Sequence, residues 1–121
     1  MNEVFETRLM ENCTQFLETK KAVINNKLES LELQKVIAMH ELDARKKVLS
    51  AVDDNGKSLY SNEEKRNIAQ KELLANNQEY NDALAKQDRL TIENVTLDGQ
   101  IEMLKYEKSI IQSIMAVNRN E

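Results

Sequence analysis

The sequence predicts an all-α fold: a long antiparallel helical hairpin of the coiled-coil type, completed to a four-helix bundle by oligomerisation. Three observations carry this expectation. The 121 residues include no Pro and two Gly, where average usage would give about six and about eight, so almost nothing interrupts a helix. Apolar residues recur at three- and four-residue spacing on both sides of the chain's midpoint. The turn chemistry is concentrated in one central stretch, 53–64. With 31% charged, 40% hydrophobic and 4% aromatic residues, the balance is that of long helices with narrow apolar seams rather than of a compact globule.

The first segment, 3–52, places Leu9, Phe16, Val23, Ile37, Ala44 and Ala51 at one heptad position. Met10, Leu17, Ile24, Leu31, Ala38 and Val52 fall at the next, and Leu28, Leu42 and Leu49 widen the stripe. So broad a face is expected to bury against more than one neighbour. The chain then turns over 53–61. Asn55-Gly56 is the strongest short turn signal, since a type I′ turn needs φ > 0 at both central residues. Ser61 and Glu64 read as a capping box that starts the second helix.

The second segment, 62–117, carries a seam through Ala69, Leu73, Asn76, Tyr80, Ala83, Gln87, Leu90, Asn94, Leu97, Ile101, Leu104, Lys108, Ile111 and Met115. Its period is that of a coiled coil. The polar members Asn76, Gln87 and Asn94 either fix register by pairing across the seam or lie in a locally loose, solvated stretch. Gly99 marks a bend, a close helix approach or a hinge, at about 1 kcal/mol relative to Ala. Met103, Ile110, Ile114 and Val117 add a second stripe beside the seam.

Helices of about 50 and 55 residues are roughly 75–85 Å long, and a short turn makes them antiparallel. Two helices alone leave these stripes uncovered. The oligomer or partner interface is therefore expected at Phe16, Val23, Leu97, Ile101, Leu104, Ile110, Ile111 and Ile114, and a homodimer is the first expectation. A higher oligomer, or a different protein supplying the missing helices, is the alternative.

Composition narrows the function classes. The net charge of −4 is spread as interspersed signs, so the basic excess that drives nonspecific phosphate binding is missing. The single Cys13 forms no intramolecular disulfide and fits a reducing compartment. With neither a basic, apolar leader nor a spanning run in view, the expectation is a cytoplasmic protein with no membrane partner. Cys13 and the single His40 are 27 positions apart, about 40 Å along one helix, so no Cys–His pair or metal site forms within a chain. No E-x-x-H occurs, and Gly56-Lys57-Ser58 lacks the upstream Gly of a phosphate-binding loop. No catalytic residue, metal or cofactor is expected. The reading is a non-enzymatic interaction module, whose assembly fails when Leu97 or Ile101 becomes Asp.

The connector has the pattern D-x-N-G-K-x-x-Y-S-N-E-x-x-R over Asp53 to Arg66. It resembles that of small helical-hairpin coiled-coil proteins of phage and prophage genomes. The resemblance implies an accessory role near phage DNA replication, recombination or evasion of host defence, and this is the alternative function, acting on DNA or on a nucleic-acid-processing complex. Lys57, Leu59 and Tyr60 are also placed to continue a short β-ribbon opposite 49–52. The charges around the connector either cap the helix ends or, with Lys57, Leu59, Tyr60, Lys65 and Arg66, form a recognition tip anchored by Tyr60.

Overall fold

The computed structural model describes residues 2–119 and is all-helical: α1 (Asn2–Ser50), α2 (Glu63–Ala75) and α3 (Gln78–Arg119). The range 1–121 expected for the single hairpin extends beyond the described residues at both ends. The chain divides into two compact units, one made of 2–28 with 90–119 and the other of Glu29–Arg89.

In the first unit the start of α1 packs along the end of α3. Val23, Ile101, Ile111 and Met115 are buried, with Phe5, Leu9, Phe16, Leu97 and Leu104 half-buried between them. Cross-pairs fix the register. Asn12 Nδ2 donates to Leu104 O (2.8 Å) and to Glu107 Oε1 (3.0 Å), and Asn26 Nδ2 donates to Asn94 Oδ1 (3.0 Å). As residue numbers rise along α1 they fall along α3. The covered positions of α1 step by four and three through Phe5, Leu9, Asn12, Phe16, Thr19, Val23 and Asn26, a narrow coiled-coil-like period. Asn94 therefore pairs across the seam, as one of its two sequence readings expected.

This face differs from the broad one read from the sequence. Leu9, Phe16 and Val23 do turn inward, but Met10, Leu17, Ile24 and Leu28 are exposed. The second row of the seam is instead Asn12, Thr19 and Asn26. The reason is pairing: an Asn whose amide finds a partner across the seam can be covered with little penalty, and its position then decides which apolar row turns away. Gly99 sits within the unbroken α3, where an added Cβ would meet nothing within 4 Å. No close helix approach occurs there.

In the second unit Ile37, Ala44 and Val48 of α1 are buried, as are Ala69 of α2 and Ala83 of α3. A repeated step of four, Ala44 to Val48, shifts the seam by one position and leaves Lys47 exposed. Where the sequence predicts one helix over 62–117, the chain breaks after Ala75. Asn76 ends α2, its backbone N–H bonding to Glu72 O, and its side chain also donates to Glu72 O at 3.1 Å. Asn77 begins α3 by accepting the Tyr80 N–H on Oδ1 at 3.1 Å. Asn81 Nδ2 reaches back to Leu74 O, Ala75 O and Asn77 O. Three asparagines thus satisfy the groups that a continuous helix would have bonded internally. Asn76, assigned to the seam by period, is an exposed cap, and Leu74 rather than Leu73 turns inward.

The connector also differs in detail. Gly56 has φ 76° and no non-Gly residue has positive φ among the described residues, so the turn is not type I′. Gly56 N donates to Asp53 O (3.0 Å) and Asp53 N to Lys57 O (2.8 Å), the arrangement of a three-residue loop closed by a left-handed Gly. Asp53 Oδ1 accepts from Asn55 N and Lys57 N. The β-ribbon reduces to one antiparallel bridge, Val52 with Ser58, because Leu49 and Ser50 stay helical. The helix start lies one residue beyond the expected box: Asn62, not Ser61, is the N-cap and accepts the Lys65 N–H at 2.8 Å. Asn62→Ala is expected to cost about 1 kcal/mol and Ser61→Ala almost nothing, read as a shift in urea midpoint.

Candidate protein-docking surface

Each helix of the first unit keeps an apolar row that nothing among the described residues covers. On α1 it comprises Met10, Leu17, Ile24 and Leu28; on α3 it comprises Met103, Tyr106, Ile110 and Val117, with Ile114 beside it. Met103 and Tyr106 are 73% and 72% exposed and Leu17 61%, values that suit contact with another molecule rather than the edge of a seam. The spacing from Met103 to Tyr106 to Ile110 to Val117 is three, four and seven residues, so these side chains share one face of α3. Between α1 and α3, on the side of the α3 row and away from the α1 row, runs a groove of about 1020 Å³, lined among others by Phe5, Asn12, Met103, Ile110 and Ile114.

The interface residues read from the sequence separate into two groups. Val23, Ile101 and Ile111 are buried in the seam of the unit itself, and Phe16, Leu97 and Leu104 are half-buried there. Ile110 and Ile114 are exposed. The sequence reading missed Tyr106 altogether. It grouped Leu17 and Ile24 with the core because a row of polar residues in the true seam left the apolar pattern ambiguous.

The second unit has its own exposed apolar groups, Leu31, Leu42 and Leu49 on α1 and Ile68 and Leu73 on α2. At the connector Lys57, Leu59 and Lys65 are exposed, while Tyr60 and Arg66 are half-buried. The exposed apolar side chain of the tip is thus Leu59. Arg66 lines a smaller groove of about 480 Å³ with Arg45, Leu49 and Glu63.

Among the described residues, Cys13 and His40 lie apart from one another. Cys13 is an exposed free thiol. His40 packs edge-on against Tyr80, with ring centroids 6.5 Å apart, and its Nδ1 lies 3.1 Å from Asn77 Nδ2. Since an amide nitrogen only donates, Nδ1 is the acceptor and Nε2 carries the proton, facing Glu79 Oε2 at 3.4 Å. Among the described residues no group of three or more His, Cys, Asp or Glu is placed to hold a metal ion. No helix among them is long and apolar enough to cross a membrane.

Among the described residues, Tyr80 has a displaced titration. Burial raises its pKa above 10.0, reinforced by the Glu41 carboxylate, which accepts its hydroxyl at 3.4 Å. A raised folded-state pKa favours the protonated phenol, so this contribution to stability is complete below pH 10 and is lost as pH rises through the folded value. Tyr80 should ionise above the ordinary tyrosine value in an ultraviolet titration, and Glu41→Gln should bring it back toward that value.

Comparison with family models, with characterised proteins and with solved structures finds no match for this chain.

Proposed function

We propose that the chain is a non-enzymatic interaction module: an antiparallel coiled-coil hairpin that associates with itself, toward a bundle of four or more helices, and docks other proteins on what is left exposed. The carrying observation is the uncovered apolar surface of α1 and α3. The chain exposes 9306 Å², whereas a folded monomer of 14.0 kDa exposes about 6,700 Å² by the usual scaling with mass. The surplus, about 2,600 Å², exceeds the roughly 800 Å² per partner that a standard specific interface removes. Self-association is the economical way to bury it, since a second copy always accompanies the first.

Sedimentation velocity over a hundredfold concentration range tests this reading. The protein is expected to sediment as an oligomer, and the double substitution Leu17→Glu with Ile24→Glu to weaken association about a hundredfold or more. Because both side chains are exposed, helix content should be unchanged. A wild-type monomer across the whole range overturns the proposal.

A further inference from the structure

The first unit carries two unlike surfaces on opposite sides of α1. At 100° per residue, Arg8 and Gln15 point away from Leu17 by about 160–180°. On their side lies the groove floored by Phe5, Met103, Ile110 and Ile114, and its charged lining is Arg8 against Glu11, Glu18, Glu102 and Glu107. The groove is acid-edged. On the other side the exposed row Leu17, Ile24 and Leu28 is bordered by Lys20, Lys21 and Lys27. The row is base-edged. Their lengths correspond too: Leu17 to Leu28 spans about 17 Å of helix and the α1 wall of the groove, Phe5 to Thr19, about 21 Å.

We infer that the basic-edged row of one copy seats in the acid-edged groove of the next, so that copies join head to tail. The inference rests on the self-association proposed above and adds its two faces and its symmetry. Groove against groove would be the two-fold alternative, but it sets Glu11 and Glu18 of both copies together, and like charges at an interface are strongly disfavoured. Row against row would likewise oppose six lysines, three from each copy. Only the unlike pairing brings apolar surface together and opposite charges to its rim. Such a contact uses a different patch on each copy, so two copies still present one free groove and one free row. Assembly therefore continues into a ring or an open chain rather than stopping at a dimer.

Charge exchange tests this with the whole chain. One variant carries Lys20→Glu, Lys21→Glu and Lys27→Glu; the other carries Glu11→Lys and Glu18→Lys. All five side chains are exposed, and unchanged circular dichroism confirms folding. Wild type is expected to give a mean mass that keeps rising with concentration in sedimentation equilibrium. Each variant alone should associate at least about tenfold more weakly. Mixed in equal amounts, the two should recover association, because each supplies the complement of the other's altered face. Three results would overturn the inference: a wild-type mass that levels off at a dimer, variants that assemble as wild type does, or a mixture no better than its parts. The levelling dimer would leave self-association itself standing, whereas a monomer throughout would remove both.

Discussion

Ile101→Asp is expected to unfold the first unit, not merely to separate copies. Ile101 is 3% exposed and lies in the seam with Val23, Ile111 and Met115. Removing its side chain from the seam forfeits about 1.5–3 kcal/mol of burial. The carboxylate that replaces it has no cation in the seam, and an unpaired charge there adds several kcal/mol more. Against a total stability of about 5–15 kcal/mol, the sum is decisive. A loss of helical circular dichroism at room temperature, or a urea midpoint moved to very low concentration, is the expected reading. Ile24→Asp is the paired control: Ile24 is 54% exposed, so the same chemical change should cost less than about 1 kcal/mol of fold stability while disrupting association. A variant at Ile101 that remains folded and simply becomes monomeric would mean that this residue faces another copy, contrary to its position in the seam.

The contrast between Ile101 and Ile24 also shows what the sequence made legible. The seam of α3 from Ala83 to Met115 was legible at every assigned position except Lys108, which is exposed, because its apolar members keep the four-and-three spacing. On α1 two rows competed, and hydrophobicity favoured the wrong one: Met10, Leu17 and Ile24 outrank Asn12, Thr19 and Asn26 on any apolar scale. The deciding information lay on the other helix, in the Leu104 carbonyl, the Glu107 carboxylate and the Asn94 amide that receive or match those polar groups. No property of α1 alone could reveal that. The break at Asn76-Asn77 escaped for a related reason. Period assigns Asn76 to the seam, while the ability of asparagine to bond its own backbone is the local signal that competes with it. The connector shows the opposite case, since Asn55-Gly56 did locate the turn, although Gly56 alone supplies the positive φ. Of the docking surface, Ile110 and Ile114 were legible as a second stripe, and Leu17 and Ile24 became visible only once the true seam was known.

If polar pairs choose which face of α1 turns inward, removing one should trade specificity for stability. Asn12 is the sharpest case, being 2% exposed with both amide hydrogens bonded to α3. Asn12→Ala is expected to cost about 1–2 kcal/mol, mainly two lost hydrogen bonds of modest net value and the space left behind. The partners suffer little, because Glu107 is exposed and a helical carbonyl such as that of Leu104 already accepts a backbone bond. Asn12→Leu should behave differently. A leucine there fills the space with apolar surface, and replacing a covered polar group by a well-packed apolar one is neutral or stabilising by up to a few kcal/mol. What it loses is the reason for α1 to present Leu9 and Phe16 rather than Met10 and Leu17. Spin labels on the single Cys13 and on a Lys105→Cys variant, both exposed positions on the two helices of this unit, read the register directly. The wild-type background should give one narrow distance distribution, and Asn12→Leu a broader or double one despite a higher melting temperature. A narrow distribution retained in Asn12→Leu would transfer the role to Asn26 and Asn94, and the same labels in Asn94→Leu would then show the broadening. Narrow distributions in both variants would mean that the apolar members of the seam set the register without these amides.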